Sequence, residues 1–229
     1  MLKALASVAT CAPHRNAASA STNRSHVPFK TTSGVRWTDI ARLTLENHRT
    51  AAHNLGAPYV RASSSAEKDG EWCGKFRAVQ RLLRDVPRGA WLLFLDADAA
   101  FRCRGNVTAS LHLFSRRRAS LVVGNRFGIF AVRHDKWALG WLDRMATALE
   151  TRPLLCVSHR WPENAATRTA TTRRDACRTV VAPRFAGANF RHLAGTTAKR
   201  QWNTTTSGGF EEETACLRSI NRLAPRSTK

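Results

Sequence analysis

Two aspartates that directly follow an apolar run are the residues best suited to do chemistry. Residues 90–95 read Ala-Trp-Leu-Leu-Phe-Leu, and Asp96 and Asp98 come next, separated by one alanine. A short apolar run with polar flanks predicts a buried strand, here over residues 91–95. Open α/β sheets bind ligands just beyond the carboxyl ends of such strands. Two carboxylates there predict a site for Mn²⁺ or Mg²⁺, which could hold a diphosphate; the simpler alternative is a strand that ends in a solvated turn.

Helical and strand patterns alternate on both sides of this run. Apolar residues three or four positions apart predict helices from Trp37 to Ala51 and over 76–86, 109–118 and 138–149. Short apolar runs predict further strands at 58–60, 121–123 and 128–132. Helices that alternate with strands are typical of α/β proteins. The expected fold is a Rossmann-related, mostly parallel sheet flanked by helices, and we expect residues 1–229 to form a single domain.

The amino-terminal residues allow two interpretations. A weak apolar stretch from Leu5 to Ala12 follows Lys3 and resembles a poor signal peptide. Val8-Ala9-Thr10 fits the first core strand equally well. No apolar run approaches the ~18 residues that indicate a membrane-spanning helix. Any association with a membrane is therefore expected to depend on a segment that is absent from this chain.

Basic residues give the chain a net charge of +21, from 37 Lys and Arg against 16 Asp and Glu. Thirty of the 37 are Arg, and they are spread over predicted helices and loops instead of forming one stripe. The Trp residues fall mainly at predicted core positions, whereas nucleic-acid binding favours clustered basic and aromatic residues. We therefore expect no nucleic-acid partner. Nucleotide sugars or an acidic membrane surface would suit this charge, and a non-catalytic polyanion-binding protein is the rival class.

Cysteines and glycosylation sequons favour an oxidising compartment. The cysteines stand at positions 11, 73, 103, 156, 177 and 216. They form no Cys-x-x-Cys pair, which argues against a zinc site, and their even number permits disulfides. Asn-x-Ser/Thr sequons begin at Asn23, Asn106 and Asn203. These observations predict a protein of the secretory pathway.

Six sequence blocks occur in the order of a known family. The blocks are Asn47 to Gly56 with Pro58 to Val60, Trp72 to Lys75, Pro87 to Asp98, Asn125 to Arg133, Trp137 with Leu142-Asp143, and Phe190 to Gly195 with Lys199. In this order they resemble the GT-A glycosyltransferases, and among these the family of yeast Golgi galactosyl- and mannosyltransferases and plant xyloglucan xylosyltransferases. The third block resembles the family's P-x-x-x-W-x-x-x-L-D-x-D pattern. The resemblance covers about residues 36–200.

The resemblance implies a GT-A-like fold and a metal site with three protein ligands. Asp96 and Asp98 match the family's aspartates, and His192 matches its late histidine and ends a strand candidate. Two oxygens and one nitrogen, completed by phosphate oxygens and water, suit a six-coordinate Mn²⁺. We therefore expect His192 to lie within a few ångströms of the aspartates. A purely structural histidine is the alternative.

The same blocks imply contacts to a nucleotide-diphosphate sugar. Lys75 and Lys199 are the expected contacts to the diphosphate, and solvated lysines are the alternative. Asn125 and Gly128 would line the donor sugar, and a plain turn is their alternative. Gly195 belongs to the late His-x-x-Gly block and is also expected at the donor site.

The chain departs from the family where an Asp-Gln pair usually stands. The best counterpart here offers Glu163 and Asn164, the predicted catalytic pair, which would bind sugar hydroxyls or act at the reacting face. An ordinary exposed glutamate is the alternative, and this departure also allows a catalytically degenerate copy. Haloacid-dehalogenase-like phosphatases end an apolar strand in Asp-x-Asp too, but they favour Thr or Val where this chain has Ala100.

The sequence thus predicts metal-dependent transfer of a hexose or pentose from a nucleotide-diphosphate sugar to a glycan or glycoprotein acceptor. The expected cofactor is Mn²⁺, or Mg²⁺ in its place. The family resemblance implies retention of configuration at the anomeric carbon. It also implies a lumenal location in the Golgi or another secretory compartment.

Overall fold

A computed structural model describes residues 2–8, 37–62, 74–96, 98–124, 127–151, 166–167, 172, 175–192 and 211–219. The strands are β1 (Leu2–Val8), β2 (Tyr59–Ala62), β3 (Trp91–Asp96), β4 (Ala99–Phe101), β5 (Leu121–Val123), β6 (Ile129–Arg133), β7 (Thr179–Val181) and β8 (Phe190–His192). The longer helices are α1 (Trp37–Asn54), α2 (Lys75–Asp85), α3 (Val107–Arg116), α4 (Lys136–Glu150), α5 (Pro183–Asn189) and α6 (residues 211–219). Helices and strands alternate along the chain, as their sequence periods predict.

Six strands form the central sheet in the order β2-β1-β3-β6-β5-β7. β1 pairs in parallel with β2 and β3, and β5 pairs in parallel with β7. β6 runs antiparallel to both of its neighbours, β3 and β5. Five strands therefore point one way and β6 points the other way, which confirms the predicted α/β class with a mostly parallel sheet. β4 and β8 form a separate two-stranded ribbon, called the β4–β8 ribbon below.

β3 lies in the middle of the central sheet and is buried along its apolar run. Residues 91–95 are each 0% exposed. Successive side chains of a strand point to opposite faces of its sheet. Leu92 and Phe94 accordingly belong to one apolar cluster, and the other three residues of the run belong to a second cluster. The prediction of a central strand over 91–95 is confirmed, and the strand extends one residue further, to Asp96.

The two apolar clusters define two faces of the central sheet. α2 and α4 cover the first, here called the aromatic face, whose rings come from Phe76, Phe94, Phe127, Phe130 and Trp141. α1, α3, α5 and the β4–β8 ribbon cover the second, here called the ribbon face. Each covering helix buries one stripe of apolar side chains, as amphipathic helices do. Burial on both faces explains why the run in β3 is apolar without alternation.

Caps and glycines set several of the element boundaries. α1 ends at Asn54, and Gly56 follows in the left-handed region with φ 59° and donates to the His53 carbonyl at 3.0 Å. Glycine adopts that conformation without a steric penalty. α3 begins at Val107, two residues before the predicted start, because the Asn106 side chain accepts from the N–H of Ala109 at 2.9 Å. The predicted end of this helix at residue 118 was also two residues late.

The amino-terminal strand decides between the two interpretations of that region. β1 covers Leu2–Val8 and pairs with β2 and β3. The interpretation as the first core strand is therefore correct for Val8, and the strand begins earlier than expected. Ala9 and Thr10 lie outside the described residues. None of the described helices is long and apolar enough to span a membrane.

Candidate functional site

Asp96 and Asp98 lie at the carboxyl end of β3, at the edge of the central sheet. Asp96 is the last residue of the strand, and its N–H donates to the Gly128 carbonyl at 2.7 Å. Asp98 follows in the turn before β4 and is only 7% exposed. This edge is where α/β sheets bind ligands. The alternative of a solvated turn does not fit Asp98, because the residue is almost wholly buried.

Lys75 reaches the same region from the first turn of α2. It is 1% exposed, and its Nζ donates to the Phe127 carbonyl at 3.3 Å. The Nζ atom also lies over the rings of two phenylalanines, 5.6 and 5.9 Å from their centroids. Phe127 directly precedes Gly128, so contacts run from Lys75 through this turn to Asp96. The alternative of a solvated lysine is wrong, whereas the contacts of Lys75 and Gly128 with a donor remain predictions.

Strand pairing brings the backbone of His192 close to the aspartates. In the antiparallel register of the β4–β8 ribbon, Ala99 lies opposite His192, and Phe101 lies opposite Phe190. Ala99 directly follows Asp98 in the chain. The α-carbon of His192 therefore lies opposite the neighbour of a predicted ligand, which supports the predicted approach of these residues. Ligation of an ion by His192 remains a prediction.

The donor groups at this edge suit a hard divalent cation. Asp96 and Asp98 offer carboxylate oxygens, the ligands that Mg²⁺ and Mn²⁺ prefer, and an imidazole nitrogen is acceptable to Mn²⁺. Among the described side chains, no group of three His, Cys, Asp or Glu surrounds one point. The side chain of His192 lies outside that set. The described part of the predicted ligand set is thus the aspartate pair.

Two side chains of α1 bind the backbone of β4. The Asn47 side chain accepts from the Phe101 N–H at 2.7 Å and donates through Nδ2 to the Phe101 carbonyl at 3.2 Å. His48 donates through Nε2 to the Ala99 carbonyl at 2.6 Å. Asn47 is 0% exposed and His48 is 1% exposed. Side chains of a helix therefore supply hydrogen bonds that a further strand would otherwise supply to β4.

Burial determines the protonation state of His48. Loss of hydration lowers the pKa of its imidazole to about 4, and the bond to the Ala99 carbonyl only partly opposes this shift. At neutral pH the ring is uncharged and carries its proton on Nε2, the nitrogen that donates to Ala99. Nδ1 is then an acceptor, and it is buried without a hydrogen-bond partner among the described residues.

A disulfide and a hydrogen bond join helix α6 to the segment that follows β4. Cys103 forms a disulfide with Cys216 of α6, across 113 positions of sequence. The Cys103 N–H also donates to a carboxylate oxygen of Glu213 at 2.6 Å. On its other side α6 meets α1, where Asn54 donates through Nδ2 to the Leu217 carbonyl at 2.8 Å. The expectation that the cysteines could form disulfides is confirmed for this pair.

Five predicted site residues lie outside the described part of the chain, namely Asn125, Glu163, Asn164, Gly195 and Lys199. Their predicted contacts with the donor or with sugar hydroxyls remain predictions. The described site therefore consists of the two aspartates, Lys75, Gly128 and the backbone of His192.

Sequence reasoning missed the roles of Asn47 and His48. Both residues fall in the predicted helix from Trp37 to Ala51 and in the first family block, but neither was predicted to bond to a strand. A polar residue at a core position of an amphipathic helix needs a buried hydrogen-bond partner, and that was the available signal. The partner itself could not be found, because the bonded residues are 54 and 51 positions away.

Comparison with solved structures identifies the fold. The chain is similar to the "crystal structure of a glycosyltransferase involved in the glycosylation of the major capsid of PBCV-1", with a TM-score of 0.59. The likeness covers 92% of this chain and 100% of that chain at 15% sequence identity. The chain shares the fold of that glycosyltransferase. No protein-family model and no curated protein sequence matches it.

Proposed function

We propose that the protein transfers a hexose or pentose from a nucleotide-diphosphate sugar to a glycan or glycoprotein acceptor, with retention at the anomeric carbon. The observation that carries this proposal is the arrangement at the carboxyl end of β3. Asp96 and the buried Asp98 both lie there, and the register of the β4–β8 ribbon adds the backbone of His192. These residues occupy the ligand-binding edge of a glycosyltransferase fold.

In this proposal Asp96, Asp98 and His192 hold Mn²⁺, or Mg²⁺ in its place. The bound ion supplies Lewis-acid stabilisation of the charge that grows on the leaving diphosphate. The burial of Asp98 strengthens its attraction for a cation, because a charge interacts more strongly where water is excluded. The hydrogen bond from the Asp96 N–H to the Gly128 carbonyl fixes the backbone that carries the first carboxylate.

The donor is held, in the same proposal, by residues around this edge. The buried ammonium of Lys75 contacts the diphosphate together with Lys199, and both offset its negative charge. Gly128 adjoins Asp96 and leaves room for the donor sugar, which Asn125 and Gly195 also contact. Glu163 and Asn164 bind sugar hydroxyls or act at the reacting face.

We assign this activity to the lumen of the Golgi or of another secretory compartment. The disulfide between Cys103 and Cys216 supports the assignment, because such bonds persist in oxidising compartments. The sequon at Asn106 lies exposed at the start of α3, where a glycan could be attached. A native protein with Cys103 and Cys216 as free thiols would contradict the assignment.

Substitution of Asp98 by Asn tests the function, because it keeps the shape of the side chain and removes its charge. We expect donor turnover by Asp98→Asn to fall by about 10²–10³-fold or more, as is typical when a charge-stabilising group is lost. The loss of Mn²⁺-dependent thermal stabilisation should accompany it. Turnover of a panel of nucleotide sugars and thermal unfolding are measured with Mn²⁺ and with a chelator.

Asp143→Asn is the matched control, since Asp143 is an exposed aspartate of α4 that pairs with Arg77. Its turnover and its response to Mn²⁺ should equal those of the wild type. Unchanged turnover in Asp98→Asn would overturn the proposed mechanism. A wild type with no turnover of any donor and no response to Mn²⁺ would favour a degenerate copy or a polyanion-binding protein.

A further inference from the structure

We infer that Asn47 and His48 are positioning residues for the proposed metal site, because they hold β4 and therefore the turn that carries Asp98. The inference rests on the proposed function, since it concerns the ion that Asp98 would bind. Neither side chain is placed against the donor or the ion. Both act through the backbone of β4, to which they are hydrogen-bonded.

β4 needs support from outside its own ribbon. It has three residues, and its only strand partner among the described residues is the equally short β8. Isolated two-stranded ribbons are marginally stable in water. Three hydrogen bonds from α1 reach two of the three residues of β4, so this helix supplies much of the support.

Ala99 links the His48 hydrogen bond to both sides of the proposed metal site. It follows Asp98 directly in the chain, and it lies opposite His192 in the ribbon. A displacement of Ala99 would therefore move two predicted ligands together. Some residues orient a metal ligand without binding the metal themselves. Removal of such a residue typically weakens metal affinity by about 10–100-fold.

The polar character of the two α1 residues indicates a role beyond packing. Asn47 and His48 are almost fully buried, and burial of polar groups costs free energy unless hydrogen bonds compensate for it. Ala51 and Ala52 of the same helix are 2% exposed and pack through apolar contacts alone on the ribbon face. Apolar residues would suffice at positions 47 and 48 if α1 only covered the sheet.

α1 also provides a matched control in Asn54. This residue donates to a backbone carbonyl 2.8 Å away, as Asn47 does, but that carbonyl belongs to Leu217 of α6. Asn54→Leu therefore removes a hydrogen bond of the same kind without changing any bond to β4. It separates a general loss of stability from a loss of metal positioning.

The test measures Mn²⁺ binding by isothermal titration calorimetry on the full chain. We expect His48→Leu and Asn47→Leu to bind Mn²⁺ about 10–100-fold more weakly than the wild type. His48→Gln should stay close to the wild type, because its amide can donate to the Ala99 carbonyl. Asn54→Leu should match the wild type. If a leucine variant fails to fold, His48→Asn replaces it. Its shorter amide does not reach the Ala99 carbonyl, so we again expect Mn²⁺ binding to be about 10–100-fold weaker.

Amide hydrogen exchange on the metal-free proteins gives a second readout that does not depend on activity. The Phe101 N–H should exchange faster in Asn47→Leu than in Asn54→Leu, because only the first variant removes its acceptor. Wild-type Mn²⁺ affinity in folded His48→Leu and Asn47→Leu, or equal weakening in Asn54→Leu, would overturn the inference alone. A wild type that binds no Mn²⁺ would overturn the proposed metal-dependent function and this inference with it.

Discussion

The two faces of the central sheet bury different chemistry, although the same strand, β3, contributes to both. The aromatic face is held by stacked and edge-on rings, with Phe94 and Phe130 only 4.7 Å apart between their centroids. The aromatic face also buries Lys75, which donates to the Phe127 carbonyl, whereas on the ribbon face the buried polar residues Asn47 and His48 bond to the backbone of β4 and Asn189 bonds to that of Phe185. Asp98 is buried in the turn that leads into this ribbon.

The difference concerns two separate properties, namely the stability of the fold and the geometry of the site. The burial of large rings stabilises the fold through the apolar area removed from water, and this contribution is non-directional and fixes no single backbone group. Hydrogen bonds from Asn47 and His48 are directional, and they determine where Ala99 and Phe101 lie. We therefore expect substitutions of the rings on the aromatic face to change stability most, and substitutions of Asn47 and His48 to change the position of β4 most. Lys75, whose Nζ lies over two of those rings, nevertheless belongs to the predicted site.

Phe130→Ala should have the largest effect on stability. Phe130 is 0% exposed and stacks between Phe94 and Phe76, so its truncation removes buried apolar area and leaves a cavity. We expect the free energy of unfolding to fall by about 3–5 kcal/mol, as measured by denaturant titration. Leu113→Ala, at a position 46% exposed on α3, should change it by less than about 0.5 kcal/mol.

Mn²⁺ binding by the folded fraction of Phe130→Ala tests how much the aromatic face also contributes to the geometry of the metal site. Its Mn²⁺ affinity should fall less than that of His48→Leu, because Phe130 packs on the side of the sheet away from the β4–β8 ribbon, although the Gly128 turn that binds the Asp96 N–H leads into its strand. A strong loss of Mn²⁺ affinity without loss of stability would contradict the division of roles between the two faces.

The ribbon face should make stability depend on pH through His48. In the folded state its pKa is about 4, whereas an exposed histidine has a value of 6.5. Between these values the unfolded chain binds more protons, so stability falls as the pH decreases from 6.5 towards 4. Above 6.5 this residue contributes no pH dependence. The full loss amounts to about 3 kcal/mol.

The measurement compares denaturant unfolding of the wild type and of His48→Gln between pH 7 and about 4. Other histidines and carboxylates titrate in both proteins, so the difference between the two curves isolates His48. The wild type should lose more stability than the variant as the pH falls. Parallel curves would show that the imidazole becomes protonated without cost, which would contradict its burial as a neutral group.

Most long elements were predictable from sequence, and so was the three-residue β5, whereas β4 and its pairing with β8 were not. The six apolar residues before Asp96 determine β3, and the periodic apolar residues of α4 determine its buried side. β4 has three residues, too few for an alternation to show, and β8 was a strand candidate that ends at His192 without an assigned partner. Their pairing is a tertiary contact between residues about 90 positions apart, and no local pattern encodes it.

The candidate site also has one part that was predicted from the sequence and another part that was not. Asp96 and Asp98 were found because two charges at the end of an apolar run are unusual and lie beside each other in sequence. The bonds of Asn47 and His48 to β4 were not found, since a helical period shows which residues are buried but not what they touch. The pairing of Cys103 with Cys216 was equally hidden, because cysteine spacing does not determine connectivity.

Glu150→Gln should change the free energy of unfolding least. Its effect measures how much ion pairs contribute to holding α2 and α4 on the aromatic face. Arg77 of α2 donates to Glu150 and Asp143 of α4, so these pairs join the two helices that cover this face. The Arg77 and Glu150 side chains are 29% and 46% exposed, and exposed ion pairs contribute less than about 1 kcal/mol.

We therefore expect Glu150→Gln to lower the free energy of unfolding by less than about 1 kcal/mol at low salt. The difference from the wild type should shrink in about 1 M salt, because mobile ions screen exposed charges, while the effect of Phe130→Ala should persist. Glu211→Gln, an exposed position on α6, serves as the control for charge removal. A loss in Glu150→Gln as large as that in Phe130→Ala would mean that ion pairs, and not ring packing, hold α2 and α4 on the sheet. A small, salt-sensitive loss would instead leave the rings as the main source of stability on this face, as their burial indicates.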